Sequence, residues 1–131
     1  MPRPFPVYVV DDDVGLRDFI VMVGEDAGLA VRGFESGDDL LSALDELQPG
    51  CILLDMRMPR KNGLEVQADL NARGNKMPVI TITGFGDVDM AVQSMKLGAL
   101  EFLEKPFANQ VLIDAIGLAF DQLEERELAG N

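Results

Sequence analysis

Five short apolar runs recur along the chain: VYVV (7–10), AVRGF (30–34), CILLD (51–55), PVITIT (78–83) and LEFLE (100–104). Each is followed by a longer helix-like stretch: 14–27, 37–48, 62–73, 86–97 and 107–127. This alternation constrains the fold more than any other feature. The first, third and fourth runs are nearly continuously apolar, as in strands covered on both faces of a parallel sheet. Ser36 with Asp39 three residues on resembles a capping box, and Leu40, Leu41 and Leu44 follow at helical spacing. Gly28 and Gly98 stand where helices should stop. Five β–α units in succession predict an α/β fold, an open five-stranded parallel sheet with right-handed crossovers and five helices on both faces. No internal linker, repeat or low-complexity segment interrupts residues 1–131, which read as one domain. Residues 121–131 read as the end of the last helix and a tail or the start of a linker.

Composition narrows the function. There are 23 Asp and Glu against 11 Lys and Arg, a net charge of −12, and no histidine. Such a chain is a poor ligand for DNA or RNA, whose phosphates need clustered cations. It suits cations, or a basic patch on a partner protein. Without histidine the usual neutral-pH general base and triad base are missing. Cys51, the one cysteine, lies inside an apolar run, which predicts a buried, inert thiol in a reducing cytoplasm. No apolar run approaches the roughly 20 residues that cross a bilayer, and MPRPFPVYVV lacks the form of a signal peptide. A cytoplasmic protein without membrane contact is expected.

In an open parallel sheet the working site lies beyond the carboxyl ends of the strands. Asp11, Asp12 and Asp13 follow the first strand, Asp55 ends the third, Thr83 ends the fourth, and Lys105 and Pro106 follow the fifth. Three carboxylates brought together either raise one another's pKa or hold a divalent cation, and Mg²⁺ suits an all-oxygen site. One carboxylate can then attack phosphorus, while a hydroxyl and an amine hold the other phosphoryl oxygens. Taken singly, each residue has a plainer role: helix cap, strand residue or solvated lysine. Their joint placement after four strands is what singles them out.

The four stretches VVDDD, LLDMRMPRKNGLE, ITITGFGD and FLEKPF resemble the acidic pair, phosphoacceptor loop, switch hydroxyl and lysine–proline signature of response regulator receiver domains. Intervals of 43 residues from Asp12 to Asp55, 28 to Thr83 and 22 to Lys105 agree with that family. The wording DMRMP and TGFGDVDMAVQSMKLGA most resembles its FixJ-like branch, whose receivers usually precede a helix-turn-helix DNA-binding domain. The resemblance implies a CheY-like, flavodoxin-like sheet of strand order 2-1-3-4-5. It implies that Asp55 accepts a phosphoryl group from a sensor histidine kinase in a Mg²⁺-dependent (or Mn²⁺-dependent) reaction. Asp12, Asp55 and the backbone carbonyl of Arg57 would bind the metal, and Asp11 would reach it through water. Lys105 would pair with the phosphoryl group, Thr83 would move to it, and the Phe102 rotamer would follow. The Lys105–Pro106 bond would be cis. Asp13 has no part in that scheme, and helix capping accounts for it. Such a domain is a signalling phosphoacceptor, not an enzyme acting on other substrates.

Arg57 and Phe85, each two residues past a site residue, are expected to tune the phosphorylated lifetime, and Gly84 stands where the family commonly has alanine. The output face implied is the fourth helix, fifth strand and fifth helix. In DVDMAVQSMKL most apolar residues, with Ala91 and Met95, are expected in the core. One or two of Val88, Met90 and Val92 are expected to contact a second copy in a phosphorylation-dependent homodimer. Two other readings exist: a receiver-shaped interaction module working without phosphorylation, and a haloacid dehalogenase-type phosphohydrolase. The second needs an acid two residues past the nucleophile, where this chain has Arg57.

Overall fold

The computed structural model describes residues 5–129. The apolar runs form parallel strands β1 (Val7–Val10), β2 (Val31–Phe34), β3 (Cys51–Asp55), β4 (Val79–Thr83) and β5 (Glu101–Glu104). They form one sheet in the order β2-β1-β3-β4-β5. The helices are α1 (Val14–Asp26), α2 (Gly37–Ala43), α3 (Gly63–Ala72), α4 (Val88–Lys96) and α5 (Asn109–Ala129). The three apolar runs are the interior strands β1, β3 and β4, whose residues are all buried; β2 and β5, at the edges, are partly exposed. This is the expected α/β architecture with the expected strand order.

Strand alternation divides the core. Val7, Val9, Leu53, Ile80 and Ile82 point to one face and pack against Ile20 and Val23 of α1 and Leu112, Ile116 and Phe120 of α5. Tyr8, Val10, Ile52 and Leu54 point to the other, against α2 and α3. Cys51 is buried among the first group, and burial pushes its thiol pKa up, which keeps the reactive thiolate scarce. Helix α4 rests on β4 through small residues, Ala91 and Ser94, both buried. The Ser94 hydroxyl donates to Thr81 Oγ1 at 3.0 Å, and Gln67 Nε2 of α3 donates to the Ser94 carbonyl at 3.2 Å.

Three local expectations need correction. Helix α2 stops at Ala43 and tightens into a 3₁₀ turn over Leu44–Glu46. Ser36 caps it by accepting from the Asp39 amide, but the full reciprocal box belongs to α3, where Asn62 and Glu65 cap each other's backbone. Asp39 is one methylene shorter than the Glu of a capping box. The expectation that most apolar residues of α4 lie in the core fails: only Ala91 of them is buried, and Met90 is partly buried. Val88, Val92 and Met95 are exposed, Met95 at 40% because Ser94 takes the position facing β4. Gly28 and Gly98, at φ 83° and 101°, do end α1 and α4.

Candidate functional site

The Asp11 amide extends the β1–β2 ladder by donating to the Phe34 carbonyl at 3.1 Å, which brings its side chain to the rim of the sheet. That side chain is fully buried: Oδ1 accepts from the Asp13 amide at 2.9 Å, and Oδ2 has no hydrogen-bond partner among the described residues. Asp13 turns away and caps α1, its Oδ1 accepting from Gly15 at 2.9 Å and Leu16 at 3.2 Å. Asp12 is exposed, and Asp55 is buried at the end of β3. Carboxylate oxygens of Asp11, Asp12 and Asp55 lie within 4.8 Å of one another. Lys105 Nζ donates to Asp55 Oδ1 at 3.3 Å.

The electrostatics follow from burial. Desolvation, with the Asp11 charge second, pushes the Asp55 pKa up to about 6 against the opposing pull of Lys105. Desolvation likewise raises Asp11, with the Asp13 amide and Lys105 opposing it. A buried carboxylate oxygen without a partner is costly unless something positive reaches it. An all-oxygen donor set of this charge fits a hard divalent cation of the Mg²⁺ or Mn²⁺ type and lacks the soft ligands of other metals.

On the β4 side, Asp55 is paired in register with Ile82, so Thr83 lies one residue further along the same rim. The Thr83 hydroxyl is buried and donates to the Leu103 carbonyl at a long 3.4 Å, while its own carbonyl accepts from the Lys105 amide at 2.9 Å. A groove of about 570 Å³ runs from Thr83 between α4 and β5, bordered by Ala91, Val92, Met95 and Phe102. Phe102 is 39% exposed at its edge. The Lys105–Pro106 peptide bond is cis. Phe85 is 84% exposed, and Arg57 Nε binds Asp87 Oδ2 at 2.8 Å.

Several residues that shape the site had no role in the sequence reading. Arg17 of α1 lies along Gly33 of β2 and donates to the Asp11 carbonyl at 2.6 Å; a Cβ on Gly33 would fall 2.9 Å from Arg17 Cδ. Its position one turn into the helix after the acidic run was the available signal. A Cβ on Gly63 would fall 2.6 Å from the Asp55 carbonyl oxygen, so only glycine lets α3 begin against the end of β3. Asp87, which the sequence placed inside the fourth helix, stands just before it and pairs with Arg57. Glu104 Oε2 accepts from the Gly86 amide at 3.0 Å.

The family model of the response regulator receiver domain matches residues 7–117. The chain is 45% identical over 126 residues to the transcriptional regulatory protein FixJ of Azorhizobium caulinodans, covering 96% of this chain and 60% of that one. It is 42% identical over 113 residues to the transcriptional regulatory protein TdiR of Thauera aromatica, covering 86% and 50%. The chain thus spans about half to three fifths of the length of these relatives. Among solved structures, FixJ-N superposes with a TM-score of 0.87 at 37% identity, covering 89% of this chain and 94% of that one. Full-length FixJ from B. japonicum gives 0.87 at 39% identity, covering 91% and 59%. With the fold, the strand-end residues and these matches in agreement, the chain belongs to the response regulator receiver domain family.

Proposed function

We propose that this receiver domain takes a phosphoryl group on Asp55 from a sensor histidine kinase and converts it into a change of the α4–β5–α5 face. The observation that carries the reading is the convergence of three carboxylates and Lys105 at the carboxyl ends of β1, β3 and β5. Mg²⁺, held by Asp12, Asp55 and the Arg57 backbone carbonyl, with Asp11 acting through water, would neutralise charge on the phosphoryl group in transfer. An Asp55 carboxylate oxygen attacks phosphorus, the donor's P–N bond breaks, and its electron pair returns to the imidazole. The acyl phosphate brings about two negative charges and new acceptor oxygens. Lys105 pairs with them, and Thr83 exchanges its long bond to Leu103 for one to the phosphoryl group. Movement of Thr83 opens space beneath it, and Phe102 turns from solvent into the groove. Water attack on phosphorus later breaks the O–P bond and restores the carboxylate. Arg57 and Phe85 flank that water's path and set the phosphorylated lifetime.

The partner of the switched face is a second copy of the chain. Val88, Val92 and Met95, exposed at 62%, 46% and 40%, supply the apolar contact, and the regulators it resembles carry further residues beyond this domain. Incubation with Mg²⁺ and acetyl phosphate tests the chemistry: intact mass rises by one phosphoryl group, and Asp55→Asn abolishes the rise. Persistence of the gain in that variant overturns the assignment. Sedimentation with and without beryllofluoride and Mg²⁺ tests the dimer, which an unshifted monomer would exclude.

A further inference from the structure

The helices around the site begin in two ways. Helices α1, α2 and α3 are closed by the side chains of Asp13, Ser36 and Asn62, whose backbones are extended at ψ 106°, 162° and 173°. Helix α4 has Asp87 at the equivalent position, a residue type well suited to capping. Yet the Asp87 side chain makes no capping bond, and its backbone at φ −85°, ψ 62° lies outside the extended region. Its carboxylate is engaged by Arg57 instead, Nε to Oδ2 at 2.8 Å. Arg57 lies two residues past Asp55, and its side chain is 73% exposed against 12% for Asp87.

We propose that Asp87 has two alternative partners: Arg57 while Asp55 is unmodified, and the first-turn amides of α4 once Asp55 carries a phosphoryl group. The inference rests on the phosphoacceptor reading of Asp55. A phosphoryl group of about two charges, with several acceptor oxygens, competes for a guanidinium better than one carboxylate does. Arg57 is tethered two residues away on an exposed side chain, so the exchange needs no movement of β3. The freed carboxylate then meets helix amides that lack intrahelical partners.

Capping requires Asp87 ψ to rotate toward the extended region, and the loop before it can follow. A Cβ built on Gly84 or Gly86 meets nothing within 4 Å, and Phe85 between them is 84% exposed. Among the described residues, the only other side-chain bond on this loop, Gly86 N–H to Glu104, is exposed. Deeper in α4 the buried contacts of Ser94 with Thr81 and Gln67 stay in place. The rearrangement is therefore confined to the first turn, which carries Val88 and one rim of the groove beside Thr83. Arg57 thus restrains the output helix until the acceptor is charged.

Amide chemical shifts of the isotopically labelled chain, with and without beryllofluoride and Mg²⁺, test the exchange at Gly84, Gly86 and Val88–Ala91. Asp87→Ser keeps a capping group but cannot hold Arg57. Without beryllofluoride its amides should already be displaced toward the wild-type beryllofluoride positions, corresponding to about a fivefold rise in the capped population. Arg57→Ala should move them the same way by freeing Asp87. Asp87→Ala, which loses both partners, should not. Identical spectra for Asp87→Ser and Asp87→Ala overturn the proposal, as do wild-type α4 shifts in Arg57→Ala. If the wild-type chain ignores beryllofluoride and Mg²⁺, the phosphoacceptor reading fails and this proposal with it. If the wild type responds and the variants stay put, only the exchange of partners is refuted.

Discussion

Asp13 and Asp87 stand immediately before helices at the rim of one pocket, and they are used in opposite ways. Asp13 accepts from two amides of α1 and joins the backbone that supports Asp11. Asp87 leaves α4 uncapped and reaches across to Arg57. The surroundings differ in the same sense. On the β1–α1 and β3–α3 side, Arg17 pins the Asp11 carbonyl and the Gly63 amide bonds the Met56 carbonyl at 2.9 Å. On the β4–α4 side, Gly84, Phe85 and Gly86 form a loop with little packed against it. Three mutually repelling carboxylates keep their geometry only within a fixed frame. The proposed switch has to change arrangement at low cost, and on its loop the Arg57–Asp87 and Gly86–Glu104 bonds are exposed.

The strongest way to break this contrast is to add one methyl group to the fixed side. In Gly63→Ala the Cβ would fall 2.6 Å from the Asp55 carbonyl oxygen and 2.9 Å from Met56 Cα, both backbone atoms that cannot rotate away. Overpacking of this kind is expected to cost about 2–3 kcal/mol in urea unfolding and to weaken Mg²⁺ binding by displacing Asp55. A cost under about 1 kcal/mol would mean that the β3–α3 junction yields, and the frame is not fixed.

Next in size is the response to pH and Mg²⁺. A carboxyl whose folded pKa is raised, as in Asp55 at about 6, binds a proton in the folded state that the unfolded chain has already lost. Its contribution to stability therefore falls as pH rises from about 4 through about 6, and the penalty persists above. Asp11 shifts in the same direction. Mg²⁺ requires the ionised form, so competition from one proton should make it bind about tenfold more weakly at pH 5 than at pH 7. Calorimetric titration at the two values checks this, with Asp55→Asn expected to lose most of the dependence. The same affinity at both would contradict the raised pKa.

Much of this was legible in the sequence because it follows from local pattern. The apolar runs gave the interior strands, and the strand-end rule brought Asp11, Asp12, Asp55, Thr83 and Lys105 to one rim. The metal binding and phosphoryl chemistry of those residues came from resemblance and chemical type, since carboxylates at strand ends serve as caps equally well. What the sequence hid is pairwise and long-range. Nothing in it says that Asp87, 30 residues beyond Arg57, faces that side chain rather than its own helix. Nor does a helical stripe show that Ser94 would displace Met95 from the surface of β4, since the hydroxyl is buried only because Thr81 offers it a partner.

The two aspartates give a sharper comparison at about 1 kcal/mol. Asp13→Ala removes two capping bonds and is expected to cost about 1 kcal/mol in chemical denaturation. Asp87→Ala removes an ion pair whose arginine is largely exposed, expected to be worth only a few tenths of a kcal/mol. Equal losses would show that Asp87 already supports α4 in the unmodified chain.

The smallest effect expected is a gain. Gly84 does not have positive φ, unlike Gly86 at φ 77°, and a Cβ there meets nothing within 4 Å. Gly84→Ala should therefore stabilise the chain by about 0.5 kcal/mol, because alanine narrows the range of conformations open to the unfolded chain. The same restriction would act on the loop in the proposed exchange of partners by Thr83 and Asp87. Stopped-flow phosphorylation by acetyl phosphate, followed by the change at α4, should then show a slower response alongside the higher melting temperature. Greater stability with an undiminished rate would place the moving hinge at Gly86 and Asp87, beyond the residue that was stiffened.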